Sequence, residues 1–251
     1  MSVNKKRLAA GLWMLLGLTF GSLGAKGQDQ RAPAPWTLEG DGYIIVSAVS
    51  KADNLQNGFI EDSMKSRFRQ SFAVVMLVDY RRSPVGPYKE LLYIPGTFAF
   101  DDGRSHASIS KIFVSSLASV TNGRTNWGIP KELAEFSVDL SSDNEETITV
   151  SQSSQVIARF TLTSQGPQFP LSTVIMPRFL RTLGQSLDGS TYIFTPSGQG
   201  WAQHARVLDA DSDPEFFPPL AMGKVLMAVK IKNFKLEFPQ PKILPSNPPT
   251  N

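Results

Sequence analysis

From Tyr43 to Phe238 the chain is built of short runs rich in β-branched and aromatic residues, punctuated by clusters of Gly, Pro, Asn and Asp. The runs are YIIVSAV, FAVVMLVDY, ELLYIPGTF, KIFVSSL, FSVDL, TITVSQSSQVIARFTLTS, STYIFTP and VLMAVKIKNFKLEF. Branching at Cβ suits a pleated, half-buried surface, and the punctuating residues supply turn conformations, so the pattern predicts a mostly β protein. In KIKNFKLEF, Ile231, Phe234, Leu236 and Phe238 fall on one face once an irregularity is allowed, whereas FAVVMLV is apolar on both faces. Strands of both kinds together point to an antiparallel sheet that curls onto itself or closes into a β-barrel. Two helical stretches are expected, a short one in PKELAEF and another over Ala52 to Gln70. No repeat of fixed period is present, which argues against solenoids and propellers.

The ends of the chain differ from this body. MSVNKKR is basic, Leu8 to Gly24 is apolar, and Ala25 to Gly27 places small residues where a signal peptidase reads. Residues 1–27 are therefore expected to direct export to a periplasmic or extracellular location. The alternative is an uncleaved membrane anchor, because the run is about the minimum that crosses ~30 Å of hydrocarbon. Residues 28–40 read as a polar, Pro-containing linker, residues 41–238 as the folded domain, and residues 239–251 as a Pro-rich disordered tail.

The formal charge of +3 arises from 25 basic against 22 acidic residues, with Lys5, Lys6 and Arg7 in the leader. The body is nearly neutral, so no nucleic-acid partner or anionic membrane surface is implied. Without cysteine there is no disulfide, thiolate nucleophile or thiolate-bound metal. The two histidines, His106 and His204, are far apart and read as surface or loop residues, which argues against a histidine zinc site. The acidic stretch Asp209 to Glu215 lacks the glycine and terminal glutamate of a calcium loop and reads as a solvated loop.

Two segments carry a more specific pattern. NGRTNWGIPKELAEF sets Gly123-Arg124 ahead of Pro130-Lys131, and DYRRSPVGPYKELLYIPG ends a turn with Tyr88, Lys89 and Glu90. On these residues the chain resembles the acetoacetate decarboxylase family. The resemblance implies the curled, antiparallel sheet or closed barrel already expected, with a few short helices and no metal or organic cofactor. It implies that Lys131 forms a Schiff base with a keto acid, and that Glu90 stands near the substrate or the proton to be moved. It also implies assembly into a homo-oligomer.

A protonated imine accepts the electrons left by a departing carboxylate far better than a ketone does. Forming it needs a neutral amine, which at pH 7 costs about 4.6 kcal/mol for an ordinary lysine of pKa ~10.4. Burial among Trp127, Ile129 and the apolar strands is expected to depress Lys131. Its neighbour Glu132 stands where the family has a second lysine, and a carboxylate there would raise the amine pKa unless it points elsewhere. Two further positions depart from the family pattern: Val75 stands for an acidic site residue and Asp41 for a substrate-facing arginine. Arg124 either holds a substrate carboxylate or satisfies loop carbonyls, and Trp127 is either a pocket wall or packing. Arg81 and Arg82 read as solvated.

The function expected is therefore a carbon–carbon lyase acting on a small keto acid, by decarboxylation or by aldol or dehydration chemistry through the same iminium. The alternative is a non-catalytic barrel of the cell envelope or extracellular space that binds an apolar carboxylate. Membrane attachment is expected only where the leader is retained.

Overall fold

The β-branched runs become strands. In a computed structural model, residues 31–141 and 145–245 are described, and the expected leader or anchor at 1–27 lies outside them. Among the described residues, no helix is long and apolar enough to cross a membrane. The first half holds β1 (Trp36–Ala48), α1 (Lys51–Asn57), α2 (Asp62–Lys65), β2 (Phe68–Arg82), β3 (Tyr88–Ala99), β4 (Ser105–Ala107), β5 (Lys111–Val114), α3 (Leu117–Trp127) and β6 (Lys131–Leu133). The second half holds β7 (Glu135–Leu140), β8 (Glu145–Gln152), β9 (Gln155–Ser172), α4 (Arg178–Arg181), β10 (Leu183–Leu187), β11 (Ser190–Phe194), β12 (Ser197–Ser212), β13 (Lys224–Phe238) and β14 (Lys242–Pro245).

All strands join one sheet in the order β14-β11-β10-β4-β3-β2-β1-β13-β12-β9-β8-β7, with β5 and β6 branching from β3. Pairing is antiparallel except at β4–β10 and β5–β6. No pairing joins β7 to β14 among the described residues, so the sheet is mixed and open rather than a closed barrel. Its central strands are buried on both faces. Ile45, Val75, Leu77, Leu91, Tyr93 and Phe113 pack in one core, whereas Leu38, Val78, Tyr80, Tyr88, Leu92 and Ile112 pack in the other. The two-sided apolarity of FAVVMLV is the imprint of these two cores.

The expected helix in PKELAEF does not form. Lys131–Leu133 and Glu135–Leu140 are strands, and the helix lies just upstream, at Leu117–Trp127. LASVTNGRTNW is poor in strong helix formers. It is held by its ends: Ser116 accepts from the Ser119 amide, and Gly128 closes the helix at φ 63° with its amide on the Arg124 carbonyl. The stretch from Ala52 to Gln70 contains α1 and α2 and then enters β2.

Four other expectations are corrected. Residues 36–40, read as linker, open β1, with Trp36 and Leu38 buried. Residues 242–245 of the tail form β14 against β11, because a free sheet edge there accepts another strand. The acidic stretch starts inside β12, which runs to Ser212 and pairs with β9. His106 is buried rather than on the surface, with Nε2 2.8 Å from Asp102 Oδ2.

Candidate functional site

The alternation of β3 puts Tyr88 and Glu90 on one face, and β2 brings Tyr80 opposite Tyr88. Into this face comes Lys131, the first residue of β6, whose backbone pairs with β5 next to Ile112. The side chain crosses in front of α3 because Gly123 leaves room for it. A Cβ at Gly123 would lie 2.7 Å from Lys131 Cδ and 2.8 Å from Cε. Gly128 is required by its left-handed φ and by the Tyr192 ring, which a Cβ would meet at 2.4 Å. Arg124 then ties the segment together, its Nη1 donating to the Lys131 carbonyl at 3.1 Å. The Gly-Arg to Pro-Lys spacing is thus a packing requirement: a helix that lets the lysine stem pass, a left-handed cap, and a return as strand.

The Lys131 ammonium donates to Glu90 Oε2 at 2.7 Å and to Ser119 Oγ at 3.1 Å, and both charged side chains are 5% exposed. Tyr88 Oη lies 3.5 Å from Nζ, and the Tyr88 ring stands 5.0 Å beneath it. Tyr80 donates to the other Glu90 oxygen at 3.1 Å. Burial, together with Glu90, pushes the Tyr80 hydroxyl well above the usual tyrosine range. Burial chiefly pushes Tyr88 up to about 12, so both phenols stay protonated donors.

The expected depression of Lys131 is not found. Burial alone would lower it, but the charge and hydrogen bonds of Glu90, with Tyr88, outweigh burial and hold the amine above its ordinary range. Glu132 plays no part in this. Strand geometry turns it away, and it accepts from Lys111 Nζ at 2.7 Å. The carboxylate that keeps the lysine charged is the one expected to serve it.

Lys131 and Glu90 open on a cavity of about 190 Å³ whose other walls are mostly apolar, with Met76, Leu92, Ile129 and Leu236 among them. Trp127 is both wall and packing: it lines the cavity, stacks edge-on with Trp36 at 5.1 Å, and donates Nε1 to the Pro239 carbonyl. Arg124 is exposed and absent from the lining, and the carbonyl it satisfies is that of Lys131 at the start of β6, which is nearer its backbone-holding reading than its carboxylate-holding one. Val75 packs in the opposite core, and Asp41 pairs with Arg81 at the surface while Arg82 pairs with Glu39. Sequence reasoning missed Tyr80, Ser119 and Arg181. Only Tyr80 carried a signal, as an inward position of β2 two residues from Val78. An apolar recess over Ile44, Val78 and Phe234 adjoins the cavity and shares Met76, Tyr80 and Leu236 with it.

A family model described as acetoacetate decarboxylase (ADC) matches residues 25–179. No curated protein matches the chain in sequence at a significant level. Among solved structures, the acetoacetate decarboxylase from Legionella pneumophila subsp. pneumophila str. Philadelphia 1 is similar with a TM-score of 0.66 at 14% identity, over 95% of this chain and 98% of that one. An acetoacetate decarboxylase-like enzyme from Sphingomonas wittichii RW1 follows at 0.62 and 12%, over 87% and 96%. The enduracididine biosynthesis enzyme MppR complexed with pyruvate has a TM-score of 0.59 at 12%, over 86% and 92%. At these identities the likeness establishes the fold.

Proposed function

Because this chain belongs to the acetoacetate decarboxylase family, we propose that it is a Schiff-base-forming enzyme of keto acids, with Lys131 as nucleophile and Glu90 as its proton partner. The observation that carries this reading is a buried ammonium 2.7 Å from a buried carboxylate at the wall of an apolar cavity. Transfer of one proton across that contact yields a neutral amine and a neutral acid, and burial by itself favours the neutral form of the lysine. The proton then moves within the site rather than out to bulk water.

The amine adds to the keto carbon, and the carbonyl oxygen leaves as water to give the iminium. For a 3-oxo acid, the bond to the carboxyl carbon then breaks, CO2 departs, and the electron pair moves into the iminium as an enamine. Protonation at carbon, with Glu90 as the nearest acid, and hydrolysis release the ketone and restore the lysine. The same iminium supports aldol and dehydration chemistry when the carboxylate is retained, and the fold relative MppR is solved in complex with the condensation product of pyruvate and imidazole 4-carboxaldehyde. The basic and apolar leader supports an exported site of action.

One observation favours a second reading, a non-catalytic carboxylate binder: Lys131 is held charged in the resting site. Borohydride reduction in the presence of acetoacetate, pyruvate and longer 3-oxo acids separates the two. The Schiff-base reading expects a reduced adduct mapped by peptide mass to Lys131 and lost in Lys131→Arg. Absence of any adduct on Lys131 across the panel would leave the binder.

A further inference from the structure

Arg181, the last residue of α4, lines the same cavity as Lys131. Its Nη1 donates to the Pro196 carbonyl at 2.8 Å, while its Nε is buried without a partner. No carboxylate pairs with it among the described residues. The other two charged groups of the lining, Lys131 and Glu90, compensate each other. Among the described residues, Arg181 is therefore the one charged group of this mostly apolar lining that has no counter-charge.

A buried donor without an acceptor is uncommon in folded proteins and calls for an explanation. The bond from Nη1 leaves the side-on edge of the guanidinium, Nε with Nη2, and that planar edge matches the two oxygens of a carboxylate. We infer that Arg181 receives the carboxylate of the ligand, so that the site selects monocarboxylates with an apolar body over neutral molecules of the same shape. Val75 and Asp41 leave no acid or arginine at the positions where the family resemblance expects them, and Arg181 supplies a cation to the same cavity from α4. The inference rests on the proposed function only for the keto group of the ligand; the carboxylate preference stands on the cavity.

Calorimetric titration with hexanoate and with hexanamide, neither of which has a keto group, tests this without Lys131 chemistry. The wild-type protein is expected to bind hexanoate at least tenfold more tightly than hexanamide. Arg181→Gln is expected to erase that preference, and Arg181→Lys, which keeps the charge but loses the fork, to retain only part of it. Equal binding of acid and amide by the wild type, no binding of hexanoate, or a full preference surviving in folded Arg181→Gln overturns the assignment. If contact with Pro196 proves necessary for folding, the lysine variant decides, and an unchanged preference in it refutes the two-pronged contact. An Arg181-dependent preference without any borohydride adduct would remove the Schiff-base reading and leave this one. An adduct on Lys131 without a carboxylate preference would do the converse.

Discussion

Glu90→Gln keeps the shape of the site and removes the charge that faces Lys131 Nζ at 2.7 Å. At an effective dielectric constant of ~20, unit charges at that separation attract by about 6 kcal/mol, and with both side chains 5% exposed little of this is screened. Without the carboxylate, burial becomes the dominant influence, and the Lys131 pKa moves from above its ordinary value to below it. The two proteins then differ in the sign of their pH dependence. In the wild type, the folded state holds the lysine proton more tightly than the unfolded chain does. That stabilisation is fully present below the unfolded pKa of ~10.4 and is lost as pH rises through the higher folded value. In Glu90→Gln the folded state releases the proton first, so stability rises with pH by up to ~1.4 kcal/mol per unit until the unfolded lysine also deprotonates. Urea unfolding of both proteins at intervals from about pH 7 to about pH 10 reads this directly. The variant is expected to be less stable near neutrality, and the part of the deficit that its lysine can recover as pH rises is at most about 4.6 kcal/mol, the cost of deprotonating an ordinary lysine at pH 7. The deficit should narrow toward pH 10. A deficit that stays constant across this range would refute the reasoning, because it would mean that Lys131 keeps its proton without Glu90.

Gly123→Ala places a methyl against Lys131 Cδ and Cε, and is expected to cost about 1–3 kcal/mol in thermal or urea unfolding and to slow borohydride-trapped adduct formation as the amine is displaced. Glu132→Gln breaks a partly exposed pair with Lys111, and is expected to change stability by less than about 1 kcal/mol and to leave the pH dependence of adduct formation unchanged. Tyr88, pushed up to about 12, is expected to stay protonated in an ultraviolet titration where ordinary tyrosines ionise near ~10. Because the folded state keeps that proton longer than the unfolded chain, stability should fall as pH rises from ~10 toward 12, and Tyr88→Phe should weaken that fall.

Much of this architecture was written in local patterns. The strand runs were legible because a period of two and β-branched composition reflect a sheet packed on both faces, as FAVVMLV shows in β2. Tyr88 and Glu90 were marked by the turn they end, and the Gly-Arg to Pro-Lys spacing marked Lys131. Elsewhere, tertiary context overrode local preference. PKELAEF, rich in helix formers, is strand because β5 offers Lys131–Leu133 a partner, while LASVTNGRTNW is helix because its caps and the packing of Trp127 hold it. Residues 242–245 looked unpackable until β11 supplied an edge.

The residues of the chain determined which side chains are available and which face of a strand each occupies, since alternation and turn chemistry act over a few neighbours. Only the tertiary structure decided how their charges combine. Lys131 is paired with Glu90, 41 residues away, Glu132 is turned out to Lys111, and Arg181 lines the shared cavity without a carboxylate partner among the described residues. Coulomb interaction and burial depend on distance in space, and adjacency in sequence does not report that distance.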